Sequence, residues 1–146
     1  MKITYNWLKE FIEDLGSITP SEIAEKLTMS GTEVKKVIYT GENFKNLVTG
    51  RILSFEKHPN ADKLSLCNVD TGQSLLSIVC GAKNFKDNDM VVVALEGARI
   101  QDFVIKKSRI RGIFSEGMMC SEKELGISDE SDGIMILDDS FTVGKD

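Results

Sequence analysis

From residue 47 onward the chain is a succession of short apolar runs at roughly even spacing, and that spacing limits what it can become. The runs cover residues 47–55, 64–69, 75–80, 90–95, and 103–105 continued by 108–111. Each has the length of a strand and is bounded by turn formers. Asp70-Thr71-Gly72-Gln73 separates the second and third runs as a hairpin would, and Asp87-Asn88-Asp89 precedes the fourth. Even spacing of this kind indicates a small barrel or sandwich, and five strands in about 65 residues suit a five-stranded OB-type barrel.

The first 40 residues follow another rhythm. Trp7, Leu8, Phe11, Ile12 and Leu15 recur at helical spacing and Gly16 stops them. Thr19-Pro20-Ser21-Glu22 then supplies a cap, a proline for the first turn and a nearby acid, and Ile23, Ala24, Leu27 and Thr28 continue a second helix to Ser30-Gly31. Val34, Val37 and Ile38 predict a strand leading into a turn-rich linker at residues 39–43. The expected class is therefore α+β, with a helix-turn-helix-like segment over 1–40 and the barrel over 41–146. A segment of about 40 residues lies near the lower limit of an independent core, so it calls for a partner surface.

Composition excludes several classes. With 41% hydrophobic and 28% charged residues the chain is ordinary for a globular protein, not a disordered one. No stretch has the roughly 20 apolar residues of a membrane span, and the start lacks the apolar centre of a signal peptide, which gives a cytoplasmic or nuclear default. Cys67, Cys80 and Cys120 are odd in number and lack CxxC spacing, so they read as reduced thiols and not as a disulfide framework or zinc ribbon. The formal net charge of -5 conceals a polarity. Residues 99–115 hold Arg99, Lys106, Lys107, Arg109 and Arg111 against Asp102, whereas residues 116–146 hold two cations against nine anions. A short basic patch on an acidic chain fits a local phosphate-backbone contact, or equally a solvated strand face.

Catalytic motifs are missing. His58 is the one histidine, and pairing it with Cys80 as base and nucleophile is disfavoured because a cysteine ending an apolar strand is usually a packed hydrophobe. The stretch His58-Pro59-Asn60-Ala61-Asp62-Lys63-Leu64 reads instead as a rigid, self-bonded connection. One histidine and three scattered cysteines have no metal-ligand spacing. Around Ser115 the Gly-x-Ser-x-Gly spacing of a hydrolase is absent, and Gly97, Gly112 and Gly117 have neither phosphate-loop nor dinucleotide spacing. Ser121 with Glu124 forms a capping box predicting one short helix that ends at Gly126, with Met118, Met119 and Cys120 plugging a barrel end.

Three motifs in order, His58-Pro59-Asn60-Ala61-Asp62-Lys63-Leu64, Val79-Cys80-Gly81-Ala82-Lys83-Asn84, and Lys106-Lys107-Ser108-Arg109-Ile110-Arg111-Gly112 followed by Ser115-Glu116-Gly117-Met118-Met119-Cys120-Ser121, resemble the tRNA-binding OB domain of several synthetases and free-standing tRNA-binding proteins. The opening Met1-Lys2-Ile3-Thr4-Tyr5-Asn6-Trp7-Leu8-Lys9-Glu10-Phe11, with Gly31-Thr32-Glu33-Val34, resembles the amino terminus of the bacterial phenylalanyl-tRNA synthetase beta subunit. That resemblance implies a non-catalytic fragment of a longer ATP-dependent ligase, cytoplasmic, with tRNA, the remainder of the beta subunit and the alpha subunit as partners. It also implies that ATP, magnesium, phenylalanine and editing sites lie outside these residues, so that no cofactor is expected here, and that a later segment completes the small amino-terminal domain.

An OB barrel holds a nucleic-acid backbone in a cationic groove, with polar side chains fixing register. The expected contacts are Lys57, Asn60, Lys63, Lys83, Asn84, Arg99, Lys106, Lys107, Arg109 and Arg111. If residues 106–111 form a strand, Lys107, Arg109 and Arg111 share one face and Lys106 takes the other. Phe55, Phe85, Phe103 and Phe114 are expected mostly in the core, which favours recognition of tRNA shape over stacking of single-stranded bases. A free-standing tRNA chaperone would share the barrel motifs but not the first 41 residues, and a protein-interaction module stabilising a larger assembly is the other alternative.

Overall fold

The computed structural model describes residues 1–39, 41, 44–129 and 132–145. The chain divides into two compact units, Met1–Gly41 and Glu42–Asp146.

In the first unit, α1 spans Tyr5–Phe11 with the Thr4 side chain accepting from the Trp7 amide at its start. It ends four residues before the expected stop, and a short 3-10 turn follows at Leu15–Ser17. The reason is Tyr5, whose hydroxyl donates toward the Leu15 and Ile18 carbonyls at 3.0 and 2.7 Å and folds the chain back under α1. α2 spans Pro20–Met29 behind a complete capping box: Thr19 accepts from the Glu22 amide and Glu22 accepts from the Thr19 amide, with Pro20 in the first turn. The strand expected around Val34 to Ile38 does not form, because within this unit no second strand lies beside it to complete a ladder. The linker expected at 39–43 lies partly outside the described residues.

The second unit is a nearly closed five-stranded antiparallel barrel. Its strands are β1 Leu47–Lys57, β2 Ser65–Asp70, β3 Leu75–Cys80, β4 Met90–Leu95 and β9 Gly117–Met119. β1 pairs with β4 through residues 47–51 and with β2 through residues 51–57, changing partners near a bulge at Leu53. β2 pairs with β3 and β4 with β9, while β10 (Ile136–Leu137) adds to the start of β4. The remaining gap, between β3 and the chain entering β9, is bridged by three bonds. The Glu116 amide donates to the Ser77 carbonyl (2.9 Å), and the Ser77 and Val79 amides donate to the Glu116 carboxylate and the Ser115 hydroxyl.

The fifth apolar run does not supply the closing strand. It folds into two small hairpins, β5 Arg99–Ile100 with β6 Phe103–Val104, and β7 Ser108–Ile110 with β8 Ile113–Ser115. β4 is apolar at every position because it is buried on both sides. Val91 and Val93 join Ile52, Val69, Ile78 and Met119 in the barrel core, and Ala94 joins Leu47, Ala98, Ile100, Ile105 and Cys120 in a second cluster. Along the half of β1 that β2 does not reach, Thr49 bonds residues 142–145 at the far end of the chain.

Candidate nucleic-acid interface

Between β1 and β2 the chain turns through His58-Pro59-Asn60-Ala61-Asp62-Lys63-Leu64 and bonds to itself. The His58 amide donates to the Leu64 carbonyl at 3.0 Å and the Leu64 amide to the Ala61 carbonyl at 3.0 Å. His58 is 1% exposed. Its Nδ1 accepts from the Asn60 amide at 3.1 Å, which places the proton on Nε2, where it donates to the Ile110 carbonyl at 3.2 Å. The Asn60 side-chain amide donates to the Arg111 carbonyl at 3.1 Å. The loop is thereby clipped to the β7–β8 hairpin from a position 52 residues earlier in the chain.

That hairpin turns on Arg111 (φ 50°) and Gly112 (φ 96°), two consecutive left-handed residues as its two-residue turn requires. Register sets its faces. Arg109 stands opposite Phe114 and Ser108 opposite Ser115. Ser115 is buried and bonded to the Gly117 carbonyl and the Val79 amide. The outer face carries Lys107, Arg109, Phe114 and Glu116 by the same alternation. Lys107 donates to the Glu116 carboxylate at 2.8 Å and lies 5.5 Å from the Phe114 ring centre, and the Arg109 guanidinium lies 5.3 Å from it. The bond from Lys107, helped by the Ser77 amide, holds the Glu116 carboxyl below its ordinary value.

The clip brings Lys57, Asn60, Lys63, Arg109 and Arg111 to one end of the barrel, and Lys83 joins them through Ser65, which stands opposite Lys57 in the β1–β2 ladder and accepts from the Lys83 ammonium at 2.9 Å. Lys57 is paired with Asp62 at 2.6 Å. No bond among the described residues ties Arg99, on β5, or Lys106 to this cluster. Asn84 serves elsewhere: both ends of its amide hold the Ile134 backbone, at 2.8 and 3.0 Å.

Three expectations need correction. Arg111 does not share a strand face with Lys107 and Arg109, because it forms the hairpin turn. Most of the barrel phenylalanines are not core: Phe55, Phe103 and Phe114 are 42%, 45% and 51% exposed, and only Phe85 is buried. Ser121 and Glu124 do form their capping bonds, at 2.7 to 3.2 Å, but the segment they open is a single turn ended by left-handed Gly126, too short to become a helix. Glu116 and Ser65 are the partners that sequence reasoning missed. Register would have found Glu116, since the Arg111-Gly112 turn sets it opposite Lys107.

Both His58 nitrogens hold backbone groups. Burial raises the Cys80 thiol and pushes those of Cys67 and Cys120 up to about 12, so none is a thiolate nucleophile at neutral pH. Among the described residues no group of three His, Cys, Asp or Glu side chains is placed to hold a metal, and no helix is long and apolar enough to cross a membrane.

Over its full length the chain is similar to phenylalanine–tRNA ligase beta subunits. It is 50% identical over 146 residues to that of Syntrophotalea carbinolica, covering 99% of this chain and 18% of the relative. It is 45% identical over 150 residues to that of Clostridium acetobutylicum, covering 100% of this chain and 19% of the relative. The chain thus spans under a fifth of the length of these relatives. Two solved structures share the fold alone. The MetRS related protein from Pyrococcus horikoshii has a TM-score of 0.54 at 18% identity, covering 75% of this chain and 96% of that one. The C-terminal domain of Plasmodium vivax p43 has a TM-score of 0.52 at 23% identity, covering 71% and 59%. The family described as "Putative tRNA binding domain" matches residues 47–146. With the barrel, its clipped loop and its basic end all inside that match, the chain belongs to the tRNA-binding domain family.

Proposed function

We propose that this chain is the amino-terminal, tRNA-binding part of a cytoplasmic phenylalanine–tRNA ligase beta subunit, and that its barrel holds tRNA by the phosphate backbone at the end built from the His58 loop and the β7–β8 hairpin. The observation that carries this reading is the clip: buried His58 and exposed Asn60 together fix the loop between Lys57 and Lys63 against the hairpin bearing Arg109 and Arg111. Such contacts position the molecule and leave sequence choice to other parts. ATP and magnesium, and contacts with the rest of the beta subunit and the alpha subunit, belong to the complete enzyme. The fragment itself performs no aminoacylation. Exposed Trp7, Phe11 and Met29 on the first unit support a coexisting role for that unit as a contact surface within the assembly.

Lys57 and Lys107 are neutralised by Asp62 and Glu116, and Lys83 is held by Ser65. Lys63, Arg109 and Arg111 are the cations of this end with no ion pair and no hydrogen bond to another side chain among the described residues. Three phosphate contacts give a log–log salt slope of about -3 and a dissociation constant of about 10⁻⁶ M or weaker near physiological salt. Fluorescence anisotropy of labelled tRNA across a salt series measures both. Replacing Lys63, Arg109 and Arg111 with Ala removes most of the slope, and Lys106→Ala changes little. Glu116→Gln releases Lys107 and steepens the slope by about one. A triple variant that binds with the parent's slope would make this end a solvated face and the barrel's role structural.

A further inference from the structure

From β1 to β9 three phenylalanines face solvent, and their surroundings differ. Phe55 leans edge-on against Phe85 with ring centres 5.0 Å apart. Phe103 has no ring or cation against it among the described residues. Phe114 is half exposed at the centre of the outer face of the β7–β8 hairpin, with Lys107 on one diagonal and Arg109 directly across. A half-exposed ring on a solvent-facing strand position forgoes burial that the same residue would gain in the core.

The ring is already held in place. Its hairpin is fixed by the left-handed Arg111-Gly112 turn and clipped by His58 and Asn60, so little ordering remains to be done when a ligand arrives. Arg109 donates through Nε to the Gly112 carbonyl at 3.1 Å, which lays the side chain along the hairpin and leaves its terminal amino groups without a partner among the described residues. A half-exposed ring beside a guanidinium whose terminal amino groups have no partner among the described residues complements a nucleotide, whose base is flat and whose phosphate is anionic. A paired helix hides its base faces, whereas loops, bulges and single strands offer them. An acidic protein segment would use the cations and leave the ring without a function.

We propose that Phe114 is a stacking platform for an unpaired nucleobase, with Arg109 holding the adjoining phosphate. This rests on the reading of the barrel end as a nucleic-acid surface and gives that surface a preference for looped or single-stranded RNA over duplex.

The test uses the whole chain and two labelled RNAs, a stem-loop and a blunt duplex of the same stem, titrated by anisotropy across salt. The parent binds the stem-loop more tightly by about 5- to 150-fold, the range of base–aromatic stacking. Phe114→Leu abolishes that preference with the salt slope unchanged, Phe114→Trp keeps it, Phe103→Leu leaves it intact, and Arg109→Ala lowers the slope by about one for both RNAs. A 2-aminopurine in the loop is quenched by the unaltered parent, a readout that does not depend on any variant folding. Equal binding of the two RNAs, no quenching, or a preference that survives in Phe114→Leu or disappears in Phe103→Leu overturns the stacking site while leaving the phosphate-binding reading standing. Binding with no salt dependence overturns both.

Discussion

His58 joins two distant pieces of backbone from a position that water does not reach, so its substitution separates hydrogen bonding from packing. His58→Phe conserves the ring's bulk and leaves the Ile110 carbonyl and the Asn60 amide without their partner. A buried group left unsatisfied costs about 1–3 kcal/mol. The urea midpoint therefore falls, and the amides of Arg111 and Gly112 exchange faster than those of β2 and β3, because the clip and not the ladder has been cut. An unchanged midpoint would mean that the loop and hairpin are held by other means. The neighbouring pair Lys107 and Glu116 behaves differently, being partly exposed: its bond is felt in the Glu116 carboxyl, held low, and contributes at and above the ordinary carboxylate value of 4.5 and fades as the pH drops below it.

Among the elements, β9 depends on a side chain being absent at Gly117. A Cβ on Gly117 would stand 2.8 Å from the Ala94 carbonyl oxygen of the strand beside it, a backbone atom that cannot turn away. Gly117→Ala is expected to destabilise the barrel by about 1–3 kcal/mol, read as a lower urea midpoint with an unchanged slope. This element was also the hardest to see in advance. The long runs of β1 to β4 announce themselves, because apolar stretches bounded by Asp, Asn and Gly have few other solutions. Gly117-Met118-Met119 is three residues long and looks like a plug, and residues 103–111, which look like one strand, are divided between two hairpins that turn at left-handed Gln101 and Arg111. The site was legible as a set of cations and illegible as an arrangement. Which cations act together is decided by hairpin register and by His58, and alternation counted along one strand cannot see across a turn.

For the whole molecule, the absence of cross-links in the sequence reading becomes a measurable property. Cys67, Cys80 and Cys120 are buried and free. With burial pushing Cys67 and Cys120 up to about 12, their thiolates are scarce at pH 8. Thiol labelling of the native protein by a disulfide reagent is expected to follow global unfolding, slowing as stability rises, and the melting temperature should be indifferent to chelator and reductant. Rapid labelling in buffer, or a large shift with EDTA, would contradict the packed core described above. The bonds between Thr49 and the last residues also set a timetable. Thr49 and Lys145 are 96 positions apart, so at about 5–20 residues per second the ribosome delivers the third residue of the first strand some 5–20 s before its partner exists. Throughout that interval the first half of β1 presents an open edge on the side where β2 never reaches. A nascent chain halted before residue 142 carries that edge unprotected, and the barrel acquires its finished rim only as the last residues of this stretch emerge.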